Sequence, residues 1–476
     1  MKGSRLTRAC KYTWRLETMA ELQAGLAVQD ITPPVGVHLQ GYTRGPSTGM
    51  RDRLQAKALV LDDGTCRVAL VTADLLGLDD DLVQRVRAHV EQRTGIPSNA
   101  VLIACSHTHS GPAIQTLGYL PVHPDYQQLV EERLVTVVGE AATAPPVAVR
   151  LGAGTGEVRF NVNRRVRRPG DTPMLPNPHG PADRRVRVFR LDPADAPVPP
   201  GTLGGALLPQ AEPVALLFSY SCHPTVLDGR NFRISGDYPG VAQRFIEHAY
   251  DSDDTSRRPV AMFLPGCFGN VRPYLLNAEG RFRGGTDYEL RALGRMLGAE
   301  VVKVAEQITM EPVESIAAAS RRVWLPYTKL PSPDALRALL GTGPQQDLFA
   351  RRFLEILDRE GKLPEGEEAT IQVIRLGRHW LVATPGETFQ EIGLSIEAGL
   401  VEYGLADPSR GDQVWALGYS NGNVGYLCTA LSHSEGGYEP GRAHIGYLRP
   451  GPFAPDVEAM LISTALDLAR QLGPAR

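Results

Sequence analysis

The residues best suited to chemistry in this sequence are two histidines that stand two positions apart in the stretch CSHTHSGP, residues 105–112. An apolar run at 100–104 precedes them and predicts a buried strand. If strand geometry continues through His109, the side chains of His107 and His109 lie on one face and point into the same pocket. Neutral imidazoles at a strand end favour a metal or catalytic site, and two exposed loop histidines are the alternative.

Three further apolar strands are each predicted to end in a short polar segment marked by glycine or proline, called here a polar corner. These corners contain His223, Arg272 and Glu387. Ligands bind beyond the carboxyl ends of the strands in open α/β sheets, so we expect these corners to converge on the two histidines. Two histidines and one carboxylate are a usual ligand set of a hydrolytic zinc centre, which keeps a further position for water. The residues alone therefore suggest a hydrolytic metal site.

The elements that must position these residues alternate between strands and helices. The sequence from residue 56 to residue 104 predicts the element order β-β-α-β, which indicates the α/β class. Amphipathic helices are predicted at about 79–94, 124–144, 285–309, 333–341, 344–359 and 455–472. The segment 147–190 is β-rich and strongly basic, and a solvated basic face is its first interpretation. An arginine that points inward at an oxygen-bearing substrate is the alternative.

Composition narrows the class of protein. The chain of 476 residues can form two or three domains or one large α/β core. Its net charge of −3 gives no reason to expect nucleic acid as a partner, and no apolar segment is long enough for a membrane helix. The basic N-terminus lacks the apolar region of a secretory signal, so we expect a cytoplasmic protein in which residues 1–23 form a disordered extension. The scattered cysteines are interpreted as reduced and buried, with a thiol nucleophile as the alternative.

Nine separate stretches, in the same order, resemble the neutral/alkaline (non-lysosomal) ceramidase superfamily, from about Ala24 to near the end of the chain. These stretches are DITPPVG (30–36), TADLLG (72–77), SHTHSGP (106–112), NVNR (161–164), NPHGPAD (177–183), CHPT (222–225), SGD (235–237), PGE (385–387) and the single stretch 425–438, which begins and ends with a GY pair.

The resemblance implies a fold, a metal and a set of roles. It implies a single mixed-sheet α/β catalytic domain over residues 24–476, with the metal site at strand ends and no C-terminal immunoglobulin-like domain. It also implies one Zn²⁺ per chain, with a small-molecule N-acyl compound as substrate. The implied zinc ligands are His107, His223, Glu387 and Tyr426. His109 matches an acid/base or substrate-orienting group, and Arg164 and Tyr438 match groups that hold the scissile carbonyl and its developing oxyanion.

One departure from the family pattern bears on mechanism and substrate. Where the ceramidases carry a serine in the stretch GDVSPN, this chain reads GNVRPY at 269–274, which places Arg272 at the serine position. A nucleophilic serine is therefore excluded at that position. A guanidinium there suits a substrate with a carboxylate, a phosphate or several hydroxyl groups, so Arg272 is predicted to bind substrate.

These observations lead to three hypotheses about function. The first is a zinc-dependent amide hydrolase that acts on a soluble N-acyl compound, such as an N-acyl amino sugar or amino acid. The second is a ceramidase or another lipid amidase or esterase, and the third is a binding protein on the same fold without catalytic activity. An amidase cannot be separated from an esterase here, because the same metal and oxyanion donors serve both reactions. A homo-oligomer is compatible with the sequence.

Overall fold

The computed structural model of the protein describes residues 21–118, 120–168, 170–195, 202–203, 206–207, 211–251 and 258–474. Most of the predicted N-terminal extension, residues 1–20, lies outside the described residues. The single domain over residues 24–476 stays a prediction.

The first part of the chain forms most of the strands. Its elements are β1 (Gln23–Asp30), β2 (Gly49–Met50), β3 (Gln55–Asp62), β4 (Arg67–Ala73), α1 (Asp80–Thr94), β5 (Val101–Cys105), α2 (Pro124–Thr143), β6 (Val147–Glu157), β7 (Asn161–Arg165), β8 (Met174–Asn177), β9 (Arg185–Pro193), β10 (Thr202–Leu203), β11 (Ala206–Leu207), β12 (Ala215–Tyr220), β13 (Arg233–Ile234), α3 (Asp237–Ala249), β14 (Val260–Pro265), β15 (Val271–Pro273) and α4 (Asp287–Ala305).

The second part of the chain contains more helices. Its elements are β16 (Ile316–Pro326), α5 (Pro333–Leu339), α6 (Pro344–Glu360), β17 (Gly366–Leu376), β18 (His379–Ala383), β19 (Glu387–Thr388), α7 (Gln390–Glu402), β20 (Val414–Leu417), β21 (Tyr426–Leu427), α8 (Ala430–Glu435), α9 (Tyr438–Gly441), α10 (Ala443–Gly446) and α11 (Val457–Leu472).

The main sheet has eight strands in the order β14-β12-β9-β6-β1-β3-β4-β5. Its two end pairs, β12–β14 and β4–β5, are parallel, and the pairs between them are antiparallel. Strands β5 and β12 are buried along their whole length, which explains their continuous apolar runs. The prediction of a mixed-sheet α/β fold is confirmed.

A second sheet has the order β16-β17-β18-β20 and packs against α7 and α11. A smaller sheet has the order β15-β7-β8, and β19 pairs in parallel with β21. The parallel pair places Glu387 directly opposite Tyr426, so two residues that are far apart in sequence become neighbours through backbone hydrogen bonding.

The segment 418–421 joins the two edges of the main sheet to the second sheet. The carbonyl oxygen of Tyr419 accepts a hydrogen bond from the Cys105 amide at 3.0 Å, and the Gly418 amide donates to the Pro265 carbonyl at 3.2 Å. The Tyr419 amide donates to the Gly386 carbonyl at 2.9 Å. Because these bonds connect the ends of β5 and β14 with the turn before β19, they draw the predicted polar corners together.

The longest elements that were not predicted from the sequence are α3, β16 and α7, and the segment 420–447, expected to be a loop, contains β21 and the short helices α8, α9 and α10. Helix α3 begins with Asp-Tyr-Pro-Gly, and α7 contains two internal glycines, which lower helix propensity. Gly393 of α7 is explained by packing, since a Cβ atom there would lie 2.9 Å from the Cys267 side chain. Strand β16 is rich in alanine and arginine and only partly buried, so its pattern lacks the apolar residues that mark a strand.

Candidate metal centre and active-site cavity

The loop that carries His107 and His109 has a different backbone from the one expected. Strand β5 ends at Cys105, and His107 has a φ of 65°, in the left-handed region that non-glycine residues rarely adopt. The expectation that strand alternation aligns the two histidines is therefore wrong. Their rings nevertheless lie 4.9 Å apart between centroids, because the loop turns sharply and is held by the hydrogen bond from the Thr108 hydroxyl to the Ser235 carbonyl at 2.7 Å. A strained residue at this place is typical of a functional site.

The imidazoles of His107 and His223 are oriented by backbone carbonyl groups. The Nδ1 atom of His107 lies 2.7 Å from the Leu76 carbonyl oxygen, and that of His223 lies 2.8 Å from the Phe268 carbonyl oxygen. A carbonyl oxygen only accepts, so each Nδ1 carries a hydrogen, and each Nε2 atom is the ring position that can bind a cation. Burial lowers the pKa of His223 to about 4, which keeps that ring neutral at pH 7.

The carboxylate of Glu387 faces both Nε2 atoms. Its Oε2 atom lies 2.9 Å from Nε2 of His223 and 3.5 Å from Nε2 of His107. Burial raises the pKa of the Glu387 carboxyl, whereas positive charge at the two Nε2 atoms, carried by a proton or by a bound cation, holds that pKa well below its ordinary range. The other oxygen, Oε1, accepts a hydrogen bond from the Tyr447 hydroxyl. The carboxylate is thus charged, oriented and directed at two lone pairs.

This donor set fits a divalent cation. The ligand atoms of His107, His109 and His223 lie within 4.8 Å of one another, and Glu387 adds a negative oxygen to the same place. Without a cation, the lone pairs of the two Nε2 atoms would face a carboxylate oxygen and repel it. Nitrogen and carboxylate oxygen ligands suit zinc, and hydrogen bonds from Nδ1 to carbonyl groups are the usual outer support of histidine ligands.

His109 lies beside the candidate metal ligands and lines the cavity with them. Its Nε2 atom is 3.2 Å from Nε2 of His107, and its ring is only half-buried. Burial, followed by the neighbouring imidazoles, lowers the pKa of His109 well below its ordinary value. This position would allow His109 either to bind a metal ion or to exchange protons with a molecule in the cavity.

Arg164 and Tyr426 form a buried pair beside the carboxylate. One guanidinium nitrogen of Arg164, Nη2, donates to the Tyr426 hydroxyl at 2.9 Å, and Nε donates to Glu439 Oε1 at 2.9 Å. Burial raises the pKa of the Tyr426 hydroxyl well above its ordinary value, and the Arg164 guanidinium acts in the opposite direction. Tyr438 packs edge-on against Tyr426, with the ring centroids 5.6 Å apart. Strand β7 thus brings Arg164 to the two tyrosines.

An open cavity of about 400 Å³ leads to these residues. A cavity of this size accommodates a small-molecule substrate or the reacting end of a longer one. The residues that line the cavity are Gly41, Tyr42, Thr43, Leu76, His107, His109, Leu117, Gln345, Gln346, Glu387, Tyr426, Tyr438, Arg442, Ile445, Gly446 and Tyr447. Five of the eight predicted site residues are therefore on its wall, and His223 and Arg164 contact wall residues directly.

Arg272 lies near these residues but, within the described part of the chain, does not line the cavity. It sits on β15 opposite Val162 of β7, so it shares a sheet with Arg164. Its guanidinium lies 4.4 Å from the centre of the Phe282 ring, and burial lowers its pKa. Contact between Arg272 and a substrate stays a prediction.

The cysteines near the site are buried. Burial raises the pKa of Cys105 and of Cys267 to about 12, and that of Cys222 well above its ordinary value. A thiolate nucleophile at these positions is therefore disfavoured, in agreement with the interpretation of these cysteines as core residues.

Three contributors were not predicted from the sequence. Tyr447 orients Glu387, Glu439 holds Arg164, and Gly41 lies against the ring of His109. Tyr447 lies in the segment 420–447, which is rich in glycine, asparagine and tyrosine, and the aromatic residues of this segment were the available signal. The sequence gives no indication of which carboxylate pairs with Arg164, because the partners are 275 positions apart.

Gly41→Ala is expected to lower kcat by about 100-fold, because a Cβ atom at this position would lie 2.4 Å from the His109 ring and displace it. Gly41 also has a φ of 96°, so the substitution strains the backbone. The matched control is Gly36→Ala, because Gly36 has a φ of 106° and nothing within 4 Å of its Cβ position. Both variants are expected to lose about 1–2 kcal/mol of stability in thermal unfolding, and only Gly41→Ala should lose activity. Equal activity in the two variants would contradict a role for the His109 ring.

Comparisons with known proteins indicate one family. Residues 22–142 match the family model described as neutral/alkaline non-lysosomal ceramidase, N-terminal. The chain is 24% identical over 505 residues to the neutral ceramidase of Mycobacterium tuberculosis, covering 89% of this chain and 74% of that protein. It is 26% identical over 486 residues to the neutral ceramidase of Pseudomonas aeruginosa, covering 89% of this chain and 69% of that protein.

Solved structures show the same fold. The crystal structure of the neutral ceramidase from Pseudomonas aeruginosa superposes with a TM-score of 0.69 at 21% identity, covering 96% of this chain and 76% of that chain. A structure described as ceramidase complexed with C2 matches with the same TM-score and coverage. Among the described residues, no helix is long and apolar enough to cross a membrane.

Proposed function

Because this chain belongs to the neutral/alkaline non-lysosomal ceramidase family, we propose that it is a metal-dependent amide hydrolase whose substrate is an N-acyl lipid of the ceramide type. One observation carries the proposal, namely the convergence of Nε2 of His107, Nε2 of His223 and Oε2 of Glu387 beside an open cavity. The named relatives are neutral ceramidases, which favours a ceramide-type substrate over a fully soluble one.

The residues proposed to hold one zinc ion are His107, His223, Glu387 and Tyr426. When it is bound there, zinc supplies a Lewis acid that polarises a carbonyl group and lowers the pKa of water. The first three residues offer oriented donor atoms, and Tyr426 stands opposite Glu387 in the parallel strand pair. Tyr447 fixes the second carboxylate oxygen, so Glu387 keeps one oxygen directed at the histidines.

The protein's own groups are proposed to carry the remaining steps of amide hydrolysis. Arg164 and Tyr438 donate hydrogen bonds to the carbonyl oxygen as negative charge develops on it. Burial raises the pKa of Tyr438 to about 12, so its hydroxyl keeps its hydrogen at neutral pH. His109, which is neutral and faces the cavity, takes a proton from the attacking water and delivers it to the leaving amine nitrogen.

A second candidate substrate is a soluble N-acyl compound, such as an N-acyl amino sugar or amino acid. The polar residues Gln345, Gln346 and Arg442 on the cavity wall favour it, because carboxamide and guanidinium groups bind hydroxyl and carboxylate groups. The cytoplasmic location and the homo-oligomer stay predictions from the sequence.

The experiment that tests the proposal measures hydrolysis of a substrate series by the zinc-loaded protein. The series runs from N-acetylhexosamine through short-chain to long-chain N-acylsphingosine, with a matched ester of each acyl group. We expect kcat/KM for long-chain N-acylsphingosine to exceed that for N-acetylhexosamine by at least about 10-fold, since burial of the chain adds binding energy. If only the soluble compounds are hydrolysed, the second candidate substrate replaces the first. No turnover of any compound would overturn both candidates and leave a binding protein on this fold.

A further inference from the structure

Glu439 is a buried carboxylate that bridges two buried arginines. Its Oε1 atom accepts a hydrogen bond from Nε of Arg164 at 2.9 Å, and its Oε2 atom accepts one from Nη1 of Arg165 at 2.6 Å. All three residues are at least nine-tenths buried. A buried carboxylate is stable only when its charge and lone pairs are satisfied, and here two adjacent guanidinium groups satisfy both oxygens.

Glu439 is also the immediate neighbour in the chain of a residue that lines the cavity. Glu439 directly follows Tyr438 in α9, and Tyr438 lines the cavity. The backbone of Glu439 therefore carries one proposed donor to the substrate carbonyl, Tyr438, while its side chain holds the other, Arg164. Arg164 in turn reaches the Tyr426 hydroxyl through Nη2 at 2.9 Å, so the orientation of that guanidinium depends on Glu439 at one end and Tyr426 at the other.

Arg165, the second arginine that Glu439 binds, is held in place by further contacts of its own. Nη2 of Arg165 donates to the Gly436 carbonyl at 2.8 Å, and its guanidinium lies 5.4 Å from the centre of the Phe389 ring. Glu435 adds a weaker ion pair to Arg165 at 3.4 Å. Because Arg165 is fixed by backbone and aromatic contacts, the Glu439 carboxylate cannot rotate away from Arg164 without breaking its shorter bond to Arg165.

We propose that Glu439 is a positioning residue of the active site, which fixes the Arg164 guanidinium relative to Tyr438 and Tyr426. The inference rests on the proposed amide hydrolysis. Glu439 does not line the cavity itself, and within the described part of the chain its role passes through Arg164 and the backbone of Tyr438. Displacement of an oriented donor by about 1 Å costs roughly 100-fold in rate, whereas binding of the remaining substrate is unaffected.

Glu439→Gln tests this role, because the amide keeps the shape of the side chain and removes its charge and one acceptor oxygen. We expect kcat to fall by about 100-fold while KM and zinc content stay within about 3-fold of wild type. The matched control is Glu397→Gln, because Glu397 also bridges two arginines, Arg185 at 2.8 Å and Arg187 at 2.5 Å, away from the cavity. An equal loss of kcat in both variants, or wild-type kcat in Glu439→Gln, would overturn the inference.

A double-mutant cycle with Arg164→Ala separates positioning from general structural damage. If Glu439 acts through Arg164, the double variant Arg164→Ala/Glu439→Gln has the same kcat as Arg164→Ala alone. A double variant whose kcat falls below that of Arg164→Ala, as if the two single losses multiplied, would overturn the inference.

If Glu439→Gln does not fold, Glu439→Asp replaces it. Its carboxylate is on a shorter side chain, and we expect kcat to fall by at least about 10-fold. Wild-type kcat in folded Glu439→Asp would overturn the inference alone, whereas wild-type protein without any amide hydrolysis would overturn the proposed function and the inference together.

Discussion

Glu387→Gln is expected to abolish zinc binding and to lower kcat by about 1000-fold or more. The substitution preserves the size of the side chain but removes the negative charge that faces Nε2 of His107 and Nε2 of His223. A neutral amide binds a divalent cation far more weakly than a carboxylate does. Metal analysis of the purified variant, together with hydrolysis of the best substrate in the series, measures both losses.

The control for this variant is Glu402→Gln, because Glu402 is an exposed residue of α7, the helix that follows Glu387. It should match wild type in zinc content and in rate. Full zinc occupancy in Glu387→Gln would contradict the assignment of Glu387 as a ligand. Loss of zinc with unchanged turnover would contradict the metal-dependent mechanism itself.

Arg164→Ala is expected to keep zinc and to lose about 100- to 1000-fold in kcat, the loss typical of one removed oxyanion donor. Arg164 donates to Tyr426 and Glu439 rather than to the histidines, so its loss leaves the donor atoms of His107 and His223 in place. Steady-state kinetics and zinc analysis of the same preparation distinguish this result from that of Glu387→Gln.

Arg168→Ala is the control for Arg164→Ala, because Arg168 is exposed and lies in the same basic segment. It should leave kcat unchanged, because Arg168 is exposed, whereas Arg164, Arg165 and Arg187 of the same segment are buried and contradict its interpretation as a solvated basic face. Loss of zinc in Arg164→Ala would contradict its role as a donor to the substrate and would instead indicate that it maintains the metal centre. A kcat equal to wild type would remove Arg164 from the mechanism.

The sequence predicted the fold class and the elements that end at the site because their signals are local. Strands β5, β12 and β14 are continuous apolar runs, and polar residues with glycine or proline follow them directly. Helices such as α1 and α2 show apolar residues at helical spacing. These local patterns required no knowledge of how the strands pair.

The sequence could not predict the contacts that depend on pairing across the chain. Glu387 meets Tyr426 only because β19 pairs with β21, and Glu439 meets Arg164 only because α9 packs against β7. The prediction that strand alternation aligns His107 and His109 is wrong for a related cause. Their convergence comes from a left-handed residue in the loop after β5, and a strained backbone has no signal in residue type when the residue is not glycine.

A metal held by His107, His223 and Glu387 is proposed to be required for hydrolysis, so the direct test is to remove that metal. Zinc is removed from the wild-type protein with a chelator, the fold is checked by thermal unfolding, and turnover is measured before and after one equivalent of zinc is returned. We predict about one zinc per chain in the active protein, no turnover after removal and recovery of turnover on return. Wild-type turnover by folded, metal-free protein would show that hydrolysis does not require the metal.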